Sequence, residues 1–443
     1  MKGVAKRMEH QGSNDPSVMK RIILVLRRLP ARIVAYVAAK RRAKRASSKL
    51  AQHAIPMELK QEFVRELRAG WKSLGEQRTE SPVEALSEIY NEQERAIIHR
   101  IRHETEIANQ NNVTRTEAYR AVYFRCPELH WALLAHLVSR NGGWNMTDLQ
   151  GELLPRLLDR AYRKQTFLML ERANAMIFQD AYPQLLLYEA SRKEGRELFS
   201  LLPAFGVSGF MRPVWSQFWR RKDAAMLTTA LIVNEQHVIE VPLVRSTYFK
   251  EHVTRKPAFL LQTPLQTNAV FMPYGAPNEG AMKLAGLVLE NFRSLEERIE
   301  FGKRLYAILY GVPEVHRGVL AFVRAVHHTG SRADYAPHLF TKQLRPQSTR
   351  SYVEKLDGCK LKRGAKKLAS PELGAAWQDV PVEIGGREDW FQETSEVEGY
   401  FEQLLIPEVF VISEEHCRAI NKIELAVLAA QRLKPSSVQD KRR

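Results

Sequence analysis

Cysteine is scarce in this chain, and its spacing offers no pairing. Cys126, Cys359 and Cys417 are the only three cysteines, odd in number, far apart and without a CxxC pattern. That arrangement supports neither a disulfide framework nor a cysteine zinc site, and it fits a reducing cytoplasm. Long apolar runs are missing as well. No stretch of about eighteen uncharged apolar residues occurs, so a membrane span is excluded, and the apolar patch from Ile22 to Ala39 is broken by Arg27, Arg28 and Arg32. The same interruptions, with no clean cleavage site after them, make a poor secretory signal. Strand alternation is scarce and no repeat of fixed period is found. GxSxG, GxGxxG, P-loop, HExxH and EF-hand patterns are all absent, which leaves the familiar hydrolase, dehydrogenase, kinase and zincin assignments unsupported and any cofactor unknown.

What the chain does have is positive charge, unevenly placed. The net charge is +17 over 443 residues, and Met1 to Pro56 holds 14 Lys/Arg against Glu9 and Asp15, or +12. The last ten residues carry +3, leaving the body between them at only +2. Basicity therefore describes the ends, and a body that is 44% hydrophobic is free to form a large core.

Residues 1–18 read as disordered. After them, Ile22, Val25, Leu26, Leu29, Ile33, Tyr36 and Val37 recur at helical intervals, with Arg27, Arg28 and Arg32 off that stripe. The pattern predicts a basic amphipathic helix kinked at Pro30, running into Lys40, Arg41, Arg42, Lys44 and Arg45. This arm is read either as a solvated linker or as an anchor for an anionic membrane surface or a nucleic acid, and it is expected to be dispensable for folding.

From Met57 onward helical periodicity dominates, and the predicted fold is mainly α: one irregular, multi-helix domain over 57–395, preceded by the arm (1–56) and followed by a helical extension with a basic tail (396–443). Helices are expected at Glu58–Leu74, Val83–Asn109, Glu117–Arg125 after a capping box Thr114-Arg-Thr-Glu117, and from Pro127 to a stop at Gly142-Gly143, with a restart at Thr147. Others are expected at Arg163–Ala181, at Pro183–Lys193 with Pro183 in the first turn, and at Pro213–Arg221, Ala224–Glu235, Ala281–Tyr310 and Pro313–His328. Val238–Val244 is the one plausible extended piece, and residues 341–395 read as a long surface excursion.

Three clusters are candidates for chemistry. The first is His130, Trp131, His136, Asn141, Trp144, Asn145 and Asp148. His130 and His136 lie about 240° apart around one helix, so they cannot ligate one ion together, while Asn141, Asn145 and Asp148 have helix-end capping as their simplest role. The second gathers Glu171, Asn174 and Asp180, acids and an amide that suit a hard cation or acid-base work as well as plain pairing. The third, His327, His328 and Arg332 after a helix end, suits an anion cradle or simple capping. A hydrolase or metal-dependent enzyme would gather these residues in one concavity spanning 141–189, with the 328–340 loop at its rim. A non-enzymatic protein, cytoplasmic or peripheral at the membrane and able to bind a partner protein, would not.

The stretches PELHWALLAHLVSRNGGWNMTDLQG (127–151), ERANAMIFQDAYPQLLLYEASRKEG (171–195), LFSLLPAFGVSGFMRPVWSQFW (198–219) and HTGSRADYAPHLF (328–340), with ALIVNEQHVIE (230–240) and LEERIEFGKRLYAILYG (295–311) between the last two, resemble the YppC-like family of uncharacterised bacterial proteins, domain of unknown function 2515. The resemblance runs in order over roughly residues 90–395. It implies one family-wide domain and carries no activity or residue role with it.

Overall fold

The computed structural model describes residues 37–76, 90–260, 268–275, 283–345, 351–382 and 388–433. The expected disorder of 1–18, the kink at Pro30, the cations Arg27, Arg28 and Arg32 and the start of the helix expected from Val83 lie outside them. The fold is mainly helical, as the periodicity predicts.

Two helices form the interior. Helix α5 (His130–Asp148) buries Trp131, Leu133, Leu134, Leu137, Trp144 and Met146 around its whole circumference, as a central helix must. Helix α8 (Ala224–Ile239) has no charge between Asp223, whose carboxylate caps it, and Glu235, and every residue from Met226 to Asn234 is buried. Around them pack α2 (Gln61–Glu76), α3 (Glu92–Ala108), α4 (Asn112–Arg125), α6 (Arg160–Glu194), α7 (Met211–Arg221), α9 (Leu295–Gly311) and α10 (Pro313–Ala325). Strands β1 (Ala269–Tyr274) and β2 (Lys283–Val288) pair antiparallel, Phe271 opposite Gly286. The final helix, α11 (Ser413–Leu433), crosses their outer end.

Several local expectations are corrected, each because tertiary contact outweighs a local signal. Helix α5 does not stop at Gly142-Gly143: a Cβ on Gly143 would lie 2.4 Å from Asn112 Oδ1, so glycine is there for close approach and the helix runs on to Asp148. Pro183 does not start a helix. It sits inside the 35-residue α6, where an interior proline costs roughly 3 kcal/mol, and the buried Tyr182, Leu185, Leu186 and Leu187 around it offset that cost. The capping box at Thr114 runs the other way: Asn111 Oδ1 accepts from Thr114 N, and Thr114 Oγ1 accepts from Asn111 N, so α4 begins at Asn112 and Thr114 closes the box.

Val238–Val244 is helical, with Arg245 N bonded five residues back to Glu240 O in a wide π-turn. The span expected as one helix, Ala281–Tyr310, holds β2 before α9 begins. Residues 341–395 are no surface excursion either, since Tyr352, Leu356, Leu368, Leu373 and Phe391 are buried. Cys359 and Cys417 form a disulfide with Cα atoms 5.2 Å apart, and only Cys126 is free. A pairing across 58 residues leaves no local trace in sequence, and here the 356–361 hairpin brings Cys359 to α11.

The basic arm, where described, is docked. Residues 37–51 form helix α1, which buries Ala39, Ala43 and Ser47. Ser47 Oγ accepts from Phe410 N (3.0 Å) and Val411 N (2.9 Å), Ile55 N donates to Gly311 O, and Arg42 pairs with Glu414 at 2.6 Å. The expectation of dispensability therefore fails for residues 37–55. Val397, Phe401, Leu404, Phe410 and Ile412 belong to the main core.

Candidate functional site

The last turn of α5 aims Asn145 and Asp148 at a short helical turn, Arg332–Asp334, whose start is capped by Ser331 Oγ accepting from Ala333 N. Arg332 fills the space between. Its Nε donates to Asp148 Oδ1 at 2.8 Å, Nη2 meets Asp148 Oδ2 at 2.7 Å and Asn145 Oδ1 at 3.2 Å, and Nη1 donates to the Tyr335 hydroxyl at 2.8 Å. Because that hydroxyl accepts from the guanidinium, its own proton goes to His416 Nε2, 2.8 Å away on α11. Burial, with Arg332 nearby, holds the His416 imidazole well below its usual value, so it is neutral and suited to accept.

Asn145, Asp148, Arg332 and His416 line a cavity of about 50 Å³ whose other walls are Phe271, Leu153, Leu154, Phe340 and Leu368, with Ala419, Ile420 and Ile423 of α11 as its ceiling. That volume holds a few waters. Glu152 stands at the wall, paired with Lys355 at 2.7 Å and Arg345 at 3.4 Å. Each carboxylate has a cationic partner, and the arrangement presents the Asp148 carboxylate, one amide and one imidazole on a polar floor under an apolar roof.

Of the residues singled out in sequence, Asn145, Asp148 and Arg332 meet here and the rest go elsewhere. His130 Nδ1 lies 2.9 Å from the Tyr306 hydroxyl and its ring stacks on Tyr310; burial brings its pKa to about 4. His136 donates through Nδ1 to Thr116 O and accepts at Nε2 from Arg140 Nε. Asn141 takes the place of a strand partner for β1, bonding both N and O of Phe271, and Trp144 stacks on the same residue. Glu171 forms a buried ion pair with Arg115. Asn174 bonds Leu170 O and Asn112, and Asp180 accepts from Gln184 and Asn234. His328 Nε2 donates to Asn112 Oδ1 at 2.9 Å, while His327 is exposed. The expected shared concavity over 141–189 is therefore corrected: a helix periodicity of 3.6 puts these polar groups on different faces of α5 and α6.

Among the described residues no group of three or more His, Cys, Asp or Glu is placed to hold a metal ion, and no Ser, Thr or Cys lines the cavity as a nucleophile. A broader groove of about 680 Å³ lies between α3, α6 and residues 379–382. Within it Asn109 Nδ2 donates to Gln179 Oε1 and Arg102 Nη2 to Ala204 O.

Sequence reading missed Tyr335, His416 and Glu235. Nothing local marks the first two, since His416 reaches Tyr335 from 81 residues away. Glu235, the acid that ends the charge-free run of α8, accepts from Trp131 Nε1 at 3.1 Å and from Gln236. Burial pushes its carboxyl up to about 8, and Asp180 adds to the rise. A carboxyl raised in the folded state favours folding fully below its unfolded value and loses that contribution as pH climbs through the folded value. Stability should therefore fall between pH 4.5 and about 8. In Glu235→Gln that slope is expected to flatten in urea titrations repeated across the range; an unchanged slope would refute the assignment.

A family model described as a protein of unknown function (DUF2515) matches residues 107–404. The chain is also 42% identical over 270 residues to the Uncharacterized protein YppC of Bacillus subtilis (strain 168), a match covering 60% of this chain and 82% of that protein. No solved structure matches.

Proposed function

The chain belongs to the DUF2515 family, and from that premise we propose that it is a peripheral protein, held to an anionic membrane surface on the cytoplasmic side by helix α1 and the basic stretch before it, with the helical body offered to a partner. One observation carries this reading: α1 is docked by one face and charged on the other. Ala39, Ala43 and Ser47 face the body, whereas Arg41, Arg45 and Lys49 are exposed at four-residue intervals. Four residues advance a helix by about 40°, so the three cations form one stripe, and Arg41 stands about 200° from Ala43. A rigid cationic stripe requires no ordering on binding, unlike the same charges on a solvated linker.

Arg42 and Lys44 are partly neutralised by Glu414 and Glu408, exposed pairs worth little on their own. The apolar positions from Ile22 to Val37 favour a lipid surface over a nucleic acid, because a polyanion has no use for an apolar stripe. Among the described residues no helix is long and apolar enough to cross a membrane, so attachment would be to the surface.

Sedimentation with vesicles tests this. Binding to phosphatidylglycerol-containing vesicles is expected at low salt and none to pure phosphatidylcholine. Replacing Arg41, Arg45 and Lys49 together by alanine should weaken it about a hundredfold, at roughly 1 kcal/mol per cation. Equal binding to both vesicles, or an unaffected triple variant, would remove the basis for the proposal. Preference for duplex DNA over vesicles would replace the membrane by a nucleic acid.

A further inference from the structure

We propose that α11 is a displaceable plug over the Arg332–Asp148 cavity, pinned shut by the Cys359–Cys417 disulfide and released when a dithiol reductant breaks that bond. The cavity floor and walls come from residues within the family match, Asn145, Asp148, Phe271, Arg332 and Leu368 among them, whereas its ceiling is α11, which begins beyond residue 404. Of the 21 residues of α11, only Ala419, Ile420, Glu424 and Val427 are buried. They lie on one side at helical spacing and most of the remaining residues are only half-buried, a looser fit than the near-complete burial of α5 and α8. A helix covered only in part is less firmly held than those two unless something fastens it.

At its start α11 is tied to β2 and α1, where Ser413 Oγ accepts from Leu284 N and Glu414 pairs with Arg42; farther along, a specific set of fastenings lies on one side. Buried Glu424 accepts from the Tyr352 hydroxyl, Lys355 N and Leu356 N, Asn421 Nδ2 donates to Gly358 O, and Gln431 accepts from Tyr352 N. All of these tie α11 to residues 352–361, the same hairpin that holds Cys359. That hairpin is in turn fixed to the body, through buried Tyr352 and Leu356 and through Lys355 to Glu152 at the cavity wall. Toward the cavity itself, the polar link from α11 is His416 to Tyr335. The disulfide thus closes a loop of 58 residues at the point where the ceiling meets its anchor.

Cys359 is exposed and Cys417 half-buried, so a reductant reaches the Cys359 sulfur. One thiolate of a small dithiol attacks Cys359 Sγ, the S–S bond breaks, and Cys417 leaves as a thiolate that takes up a proton. The second thiol of the reductant then attacks the mixed disulfide, freeing Cys359 as a thiol. Two electrons pass to the protein, and the dithiol ends as its own cyclic disulfide. With the cross-link gone, the entropy of a long loop returns to the open state and the opening equilibrium of α11 rises by about a hundredfold or more.

Hydrogen exchange on the full chain, followed by mass spectrometry with and without dithiothreitol, reads this directly. Exchange over 413–433 should accelerate about a hundredfold on reduction while 130–148 is unchanged, and Cys417→Ser should behave like the reduced protein without any reductant. Anilinonaphthalene sulfonate, an apolar anion, should gain fluorescence only in the reduced protein, as the cavity opens. Unaltered exchange over 413–433 would overturn the proposal. So would equal acceleration over 130–148, which would make the bond a staple for the whole fold, or a dye signal indifferent to reduction.

Discussion

Glu171→Ala is expected to lower stability by roughly 3–5 kcal/mol, the cost of breaking a buried ion pair from one side. Arg115 and Glu171 are both almost wholly buried and bonded to each other, and Arg115 Nη1 goes on to Asn109 Oδ1 at 3.0 Å. Burial raises the Glu171 carboxyl above its usual value, and Arg115 opposes that rise without cancelling it. Removing the carboxylate would strand a guanidinium in the interior. Replacing both partners by methionine should recover much of the loss, because two apolar side chains of similar volume need no compensation. Denaturant midpoints of the wild type, Arg115→Met, Glu171→Met and the double variant form the cycle; Glu171→Ala within about 0.5 kcal/mol of wild type would show that the charge finds another partner.

Gly143→Ala is expected to cost roughly 2–5 kcal/mol although alanine is the better helix former, combining overpacking with the loss of a buried hydrogen bond. The added Cβ would stand 2.4 Å from Asn112 Oδ1 and 2.5 Å from His328 Nε2, the two atoms that bond each other. Neither can withdraw easily: Asn112 Nδ2 is held by Ser139 O and Oγ, and the His328 ring lies against Asp334. At the neighbouring Gly142 the nearest atom would be Asn174 Nδ2 at 3.2 Å, a milder contact that the gain in helix propensity offsets. Gly142→Ala should thus remain within about 1 kcal/mol of wild type by thermal unfolding. Equal effects at the two positions would contradict the close approach seen at Gly143.

These cases show what could be read in the sequence. The class of fold was legible, because burying one side of a helix leaves a 3.6-residue imprint, and α2, α7, α8 and α10 lie within a few residues of where that imprint puts them. Element ends were less legible where one residue serves two purposes. Glycine can end a helix or admit a neighbour, as at Gly143; proline can open a helix or sit inside one whose flanks are buried, as at Pro183; Thr114 can open a capping box or close it. The cavity was half legible. Asp148 and Arg332 each stood out as polar residues beside helix ends, but 184 residues separate them, and no local pattern announces that two distant charges neutralise each other. Tyr335 and His416 carried no signal at all, since a phenol and an imidazole become partners only when α11 is laid across β1.

The stretch 410–412 also has a bearing on how the protein can be shortened. Gly286 N donates to Phe410 O, Ile412 N donates to Leu284 O and Val411 bridges Ala285, so this stretch lies along β2 as a third strand while its own amides at 410 and 411 are held by Ser47. Cutting the chain at either end therefore uncovers something at the other. Without residues 405–433 the outer edge of β2 offers bare amides and carbonyls, a template for another chain to pair with, and α1 loses the surface it rests on. Without residues 37–51 the amides of Phe410 and Val411 lose their acceptor. A fragment trimmed to the family match alone would be prone to self-association through a strand edge that the full chain keeps covered.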